Sequence, residues 1–292
     1  MSYLGALGRR LVGWTRVLSG GNEFLTLNND TSSSYHALQL QFNRRLSTRL
    51  HLLVSYTWAH SIDDLSNGQP YDTAVLPYQS YVDPRAWGSS DFDIRQSLNG
   101  SIIAALPSPH NGIAAVLFRN WTANSIFFAR SALPADLYIG SPYIRPNLVP
   151  GEPLYLYGPE YPGGKSFNLA AFAAPPGALT TAEVQGDLGR NVLRGLCAWQ
   201  IAFALHREFP LREGVSLQFR AEAFNLLNHP NFANPSDSDN PGVLTVVPGP
   251  QWGSATQTLA NGLSPSGVVG QLSPLFQIGG PRTMQIALRL HF

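Results

Sequence analysis

Adjacent carboxylates, clustered acidic oxygens and glycine loops are among the patterns that most often mark chemistry, and each occurs here in weak form. Asp63 and Asp64 pair two carboxylates, as general acid–base catalysis requires when both converge on one bond. Side chains of neighbouring residues diverge in extended chain, and this pair opens a long connection, so both are expected in a solvated or turn role. Asp237, Asp239 and Asn240 gather the oxygens that hard cations prefer, without the Gly and closing Glu of a calcium loop. None of the histidines shows HExxH or i, i+4 spacing. His229 lies in Asn228-His-Pro-Asn231, a turn sequence. Gly186-Asp-Leu-Gly189 is too short to cradle a phosphate and is expected to shape the loop before a strand. Cys197 is the only cysteine, which excludes an internal disulfide and a Cys-rich zinc site. No catalytic, cofactor-binding or metal-binding residue is assigned, no cofactor is expected, and the chain is not expected to be an enzyme.

The elements that carry these residues alternate with period two. Apolar and polar residues exchange over 3–11, 38–43, 50–60, 97–102, 121–127, 199–206, 215–223 and 284–292. Charged residues are 13%, about half the ~25% usual in soluble domains. Net charge is +1, which leaves no electrostatic footprint for nucleic acid. Aromatics at 11% rule out a disordered chain. Half-buried soluble strands run ~5–6 residues, whereas a tilted membrane strand needs ~9–11. The segments at 50–60 and 284–292 reach the longer figure.

Connections sharpen the choice. Turns at 45–47, 107–117 and 209–214 are short, while 12–33, 61–92, 131–195 and 227–281 are long, in strict alternation. Outer-membrane barrels place short turns on the periplasmic side and long loops outside. Tyr56, Trp58, Trp121, Trp199, Phe224 and Phe292 stand near segment ends, where amphipathic rings meet lipid headgroups. Arg220, Glu222 and Arg289, with His206 and His291, lie on the polar rows and are expected to face the lumen, where such charges pair across strands. Small residues on those rows (Ala59, Ser97, Ser101, Ala202, Ala204, Ser216, Ala287) suit a wide hydrated lumen. An all-β fold is expected: one antiparallel transmembrane β-barrel segment spanning 1–292, of about eight long strands.

Met284, Ile286, Leu288, Leu290 and Phe292 form an apolar row that ends on the last residue. In water such a row is an aggregation-prone edge, which closure of a barrel abolishes. The pattern resembles the C-terminal signal that the bacterial outer-membrane barrel assembly machinery reads.

Three stretches together resemble the C-terminal barrel of TonB-dependent outer-membrane receptors, in particular the Oar-like, acidobacterial type. They are 34–64, the Asp91-Phe-Asp-Ile-Arg95 stretch running to Gly100, and Gly186-Asp-Leu-Gly-Arg190 running to Gly195 with its continuation over 209–232. The resemblance implies residence in the cell outer membrane, ligand binding at the long loops and energised uptake. It implies partners in outer-membrane lipid, the assembly machinery, and the remaining strands and plug of a longer protein. Family barrels close with about 22 strands around a plug. The chain holds about eight strands and no plug domain, so a fragment of such a receptor is expected, and the transported substrate is unknown. The alternative is a standalone eight-stranded outer-membrane barrel with a structural or adhesive role. A soluble β-sandwich adhesin is disfavoured by strand length and the terminal Phe.

Overall fold

The computed structural model describes residues 1–19, 22–66, 87–108, 112, 119–139, 144–176, 186–235, 243–245, 249–262 and 278–292. Eight strands form the wall: β1 (Ser2–Ser19), β2 (Asn22–Ser47), β3 (Leu50–Asp63), β4 (Gln96–Ala105), β5 (Trp121–Arg130), β6 (Ala198–Arg212), β7 (Val215–Phe224) and β8 (Thr283–His291). Each pairs with its sequence neighbour in one antiparallel sheet, and the two-residue strand Gly88–Ser89 adds to β3 beside Asp63. The expected all-β antiparallel fold is therefore observed. Among the described residues β1 pairs only with β2, and β8 only with β7.

Register fixes the two faces. Leu217, Phe219, Ala221 and Ala223 stand opposite Leu290, Leu288, Ile286 and Met284, with Phe209, Arg207, Leu205 and Phe203 on the other side. On β8 this row is exposed: Ile286 is 74% and Leu288 68% accessible, while Arg207 within it is buried. Trp58, Phe42 and Leu40 continue it on β2 and β3. An apolar face of that extent is tolerable only against lipid. The opposite face carries Ser216, Gln218, Arg220 and Glu222 of β7, facing His291, Arg289, Ala287 and Gln285 of β8. Leu53, Ile103 and Ile126 are apolar exceptions on this inner face.

Where Gly100 of β4 faces Phe127 of β5, the ring lies over the glycine: an added Cβ would sit 2.2 Å from Phe127 Cζ. The missing side chain makes room for the aromatic on the outer face.

Two sequence expectations need correction. The connection 12–33 is not a long loop: β1 and β2 stay paired to Ser19↔Asn22, with register shifts between Gly8 and Gly13. The ladder continues because antiparallel pairing satisfies the backbone beyond the bilayer as well as within it, and the 26 residues of β2 exceed what a crossing needs. The described residues of the connection 131–195 form a folded layer rather than an irregular loop. Its core is Leu137, Phe167, Ala171, Phe172, Leu188 and Leu193, all buried, with Trp252 of the last long connection packed on it. Short strand pairs at Tyr155–Tyr157 with Lys165–Phe167, and at Asn147–Leu148 with Phe172–Ala173, stiffen it.

Candidate functional site

The densest polar site lies where this layer meets the long-loop end of the wall. In β3 the inward-facing series ends Ala59, Ser61, Asp63, and all three are buried, in contrast to exposed, outward-facing Trp58. Ala59 is therefore small because protein covers it, not because water fills the space, which corrects the lumen expectation at this position. Asp63 is likewise not solvated: its carboxylate pairs with Arg190. Arg190 also donates through Nη1 to the Asp63 carbonyl at 2.7 Å, and through Nη2 to Ser66 Oγ at 2.6 Å and Asp91 Oδ1 at 3.1 Å. One guanidinium thus ties three segments, using the fork of donors only arginine offers.

Its neighbours extend the tie. Asn191 takes a left-handed φ of 54° and donates from Nδ2 to Ser89 O and Asp91 Oδ1, each at 2.7 Å. Arg194 Nη2 reaches Asp93 Oδ2 at 2.7 Å, and Arg95 Nε meets the same oxygen at 2.8 Å. The Ser61 amide donates to Asp93 Oδ1 at 2.8 Å. Burial alone would raise the Asp93 pKa, but the Ser61 amide, Arg194 and Arg95 outweigh it and hold the carboxyl below its ordinary value. Asp64 behaves oppositely: burial raises its pKa although both oxygens accept from the Ser32 amide. Burial works against charge on Arg190 too, yet Asp91 and Asp63 raise its pKa overall.

A second buried cluster stiffens the layer itself. Arg145 forks onto Asp136 at 2.8 and 3.2 Å, and Tyr138 donates to the same carboxylate at 2.6 Å. Burial, then the Asp136 charge, pushes the Tyr138 phenol well up, so it stays a donor. Gly186 serves close approach: an added Cβ would fall 2.2 Å from Pro146 O, while Asp187 accepts from the Leu148 amide at 2.6 Å. The expectation that Gly186-Asp-Leu-Gly189 shapes its loop is met in this way.

At the short-turn end the inner face lines a cavity of about 590 Å³ with Arg49, His206, Glu208, Ser216 and Gln218. Ser216 donates to Glu208 at 2.5 Å. Arg220 and Glu222 bond to each other along β7, Nε to Oε1 at 2.8 Å, rather than across strands as expected. Arg289 stands opposite Gln218 in the same polar row. His229 sits in a turn whose amide Asn225 Oδ1 caps at 3.0 Å. Asp237, Asp239 and Asn240 lie outside the described residues.

A lipid-facing apolar row, a polar inner row and a folded layer seated on one end are now all in place, and a family comparison agrees with them. The model of the outer membrane beta barrel domain family matches residues 9–285. The chain belongs to that family. It is an outer-membrane protein, and β1 to β8 are transmembrane strands of an outer-membrane barrel. No curated protein matches it.

In this barrel segment the residues that hold the layer down were absent from the sequence-derived site set. Asp63 was weighed there only as a carboxylate pair with Asp64. Asp91, Asp93, Arg95, Arg190 and Arg194 stand in the stretches that carry the receptor resemblance. The signal was present as motif, but the contacts join positions up to 127 apart.

Proposed function

We propose that this chain is part of a TonB-dependent, Oar-like receptor of the outer membrane, which binds a solute at its outer end and passes it inward by energised uptake. The observation that carries the reading is the layer formed by the described residues of 133–197, folded around its own core and seated on the long-loop end of the wall. A purely structural barrel has no use for an organised layer over that end. The polar rows of β6, β7 and β8 below it supply hydrogen-bonding surface along a path. The outer sides of β1 and β8, unpaired among the described residues, favour further strands beside them, since an open edge in the bilayer leaves backbone groups unsatisfied. The reading is non-catalytic and needs no cofactor. Its partners are outer-membrane lipid on the apolar rows, the assembly machinery at Met284 to Phe292, and the further strands and plug of a longer protein.

Uptake tests it. Cells carrying the full-length protein and cells deleted for it are given labelled maltodextrin, oligopeptide or ferric siderophore, with and without a protonophore. Accumulation of one of these is expected to require the protein and to collapse with the protonophore. A heat-modifiable barrel in the membrane with no energy-dependent accumulation of any of them would favour the standalone structural or adhesive barrel.

A further inference from the structure

We propose that the layer formed by residues 133–139, 144–176 and 186–197 is a lid that opens as a unit, and that Arg190, Asn191 and Arg194 are the latch holding it on the wall. The argument rests on where the apolar and the charged groups are placed. The large apolar side chains of the layer pack on one another and on Trp252 of the last long connection, which is bonded to the layer and moves with it, and not on the wall: Leu137, Phe167, Phe172, Leu188 and Leu193 form that core. The seam with the wall is made differently. On the wall side the buried residues are Ala59, Ser61, Asp63, Ser90 and Asp93, and the bonds crossing to the layer come from Arg190, Asn191 and Arg194. Parting the seam therefore leaves the apolar core of the layer closed. It exposes ions and amides, which water rehydrates, so the seam is where separation costs least.

The seam also has a wet edge from which opening can begin. The Arg190 side chain is 4% accessible and its partner Asp63 5%, but Asp91 is 51% and Arg194 24%. Water already reaches the outer members of the network while the inner pair stays dry. The seat itself depends on a glycine: an added Cβ on Gly88 would lie 2.7 Å from Arg190 O and 3.1 Å from its Cβ. The Gly88 backbone thus packs against the Arg190 backbone with no side chain between them.

That the lid guards a solute path rests on the receptor reading; that it opens does not. The test uses the full-length protein in intact cells with Cys197→Ser, any other cysteine replaced, and Ser55→Cys as probe. Ser55 lies on the inner face of β3, two inward positions below Ala59. A membrane-impermeant maleimide is added from outside. Slow labelling is expected with the latch intact, and at least tenfold faster labelling with Arg190→Ala. Gly88→Ala, which keeps every charge and only crowds the seat, is expected to accelerate it as well and stands in if Arg190→Ala fails to assemble. A cysteine at exposed Tyr157, on the layer, is expected to react at one rate in all backgrounds. Equal labelling of Ser55→Cys in all three backgrounds, whether fast or slow, overturns the lid. The assay needs no transported solute, so failed uptake leaves its result standing.

Discussion

Arg190 and Asp63 stand 127 positions apart in the chain, yet the Arg190 guanidinium binds both the carboxylate and the main-chain carbonyl of Asp63. Both side chains are almost fully buried. A carboxylate in that setting is tolerable only while its partner remains.

Arg190→Ala is accordingly expected to destabilise the seam by about 3–5 kcal/mol, because it strands Asp63 without a counter-charge. Amide hydrogen exchange at Ser61 and Ser90, buried on the wall side of the seam, should rise by more than about 100-fold, at about 1.4 kcal/mol per tenfold. Arg190→Met combined with Asp63→Leu should lose much less. A double variant as labile as Arg190→Ala would show that the ion pair itself, not the stranded charge, sets the cost.

The seam should weaken in acid, and the sign follows from Asp93. Its folded pKa lies below the ordinary carboxylate value of about 3.9. Its contribution is therefore fully present above that value and is lost as pH falls through the lower folded pKa. Asp64, raised by burial, works in the other direction: its protonation on acidification relieves a cost. Protection of the Ser61 and Ser90 amides in hydrogen exchange should thus hold at mildly acidic pH and fall only below about pH 4, and Asp93→Asn should flatten that fall. Loss of protection already near neutrality would contradict this assignment.

Gly100→Ala is expected to cost about 1–3 kcal/mol by overpacking against Phe127. The midpoint of urea unfolding in lipid vesicles should fall. In a Phe127→Ala background the same glycine change should cost much less, since the clash partner is gone. Additive losses would place the strain at Leu53 O, the other atom the new Cβ meets, at 3.0 Å.

The two faces of β8 should respond in opposite ways to charge. Leu288→Arg puts a guanidinium on the lipid row, at a cost of about 2–4 kcal/mol near mid-bilayer. Gln285→Arg stays on the inner row, opposite Glu222. The heat-modifiable fraction in outer-membrane preparations is expected to drop for the first and hold for the second. Equal losses would undo the assignment of faces.

Much of this was legible in the sequence. Period-two alternation in β3, β6, β7 and β8 reports which side of each strand meets lipid, because side chains alternate by geometry alone. Low charge, long segments and the short turns at 45–47 and 209–214 add the membrane and the hairpin order. Each of these is a property of neighbours in the chain, so the chain alone determines it. The extended pairing of β1 with β2 over 12–33 was not legible, since the length of a hairpin depends on pairing between segments. Nor was the role of Asp63, Asp93, Arg190 and Arg194. A charged residue in a long connection reads as solvated until something distant covers it, and the covering layer is built from residues 133–197 meeting residues 59–95. Only the tertiary structure brings those groups within bonding distance, and burial then turns ordinary loop charges into the contacts that hold the layer on the wall.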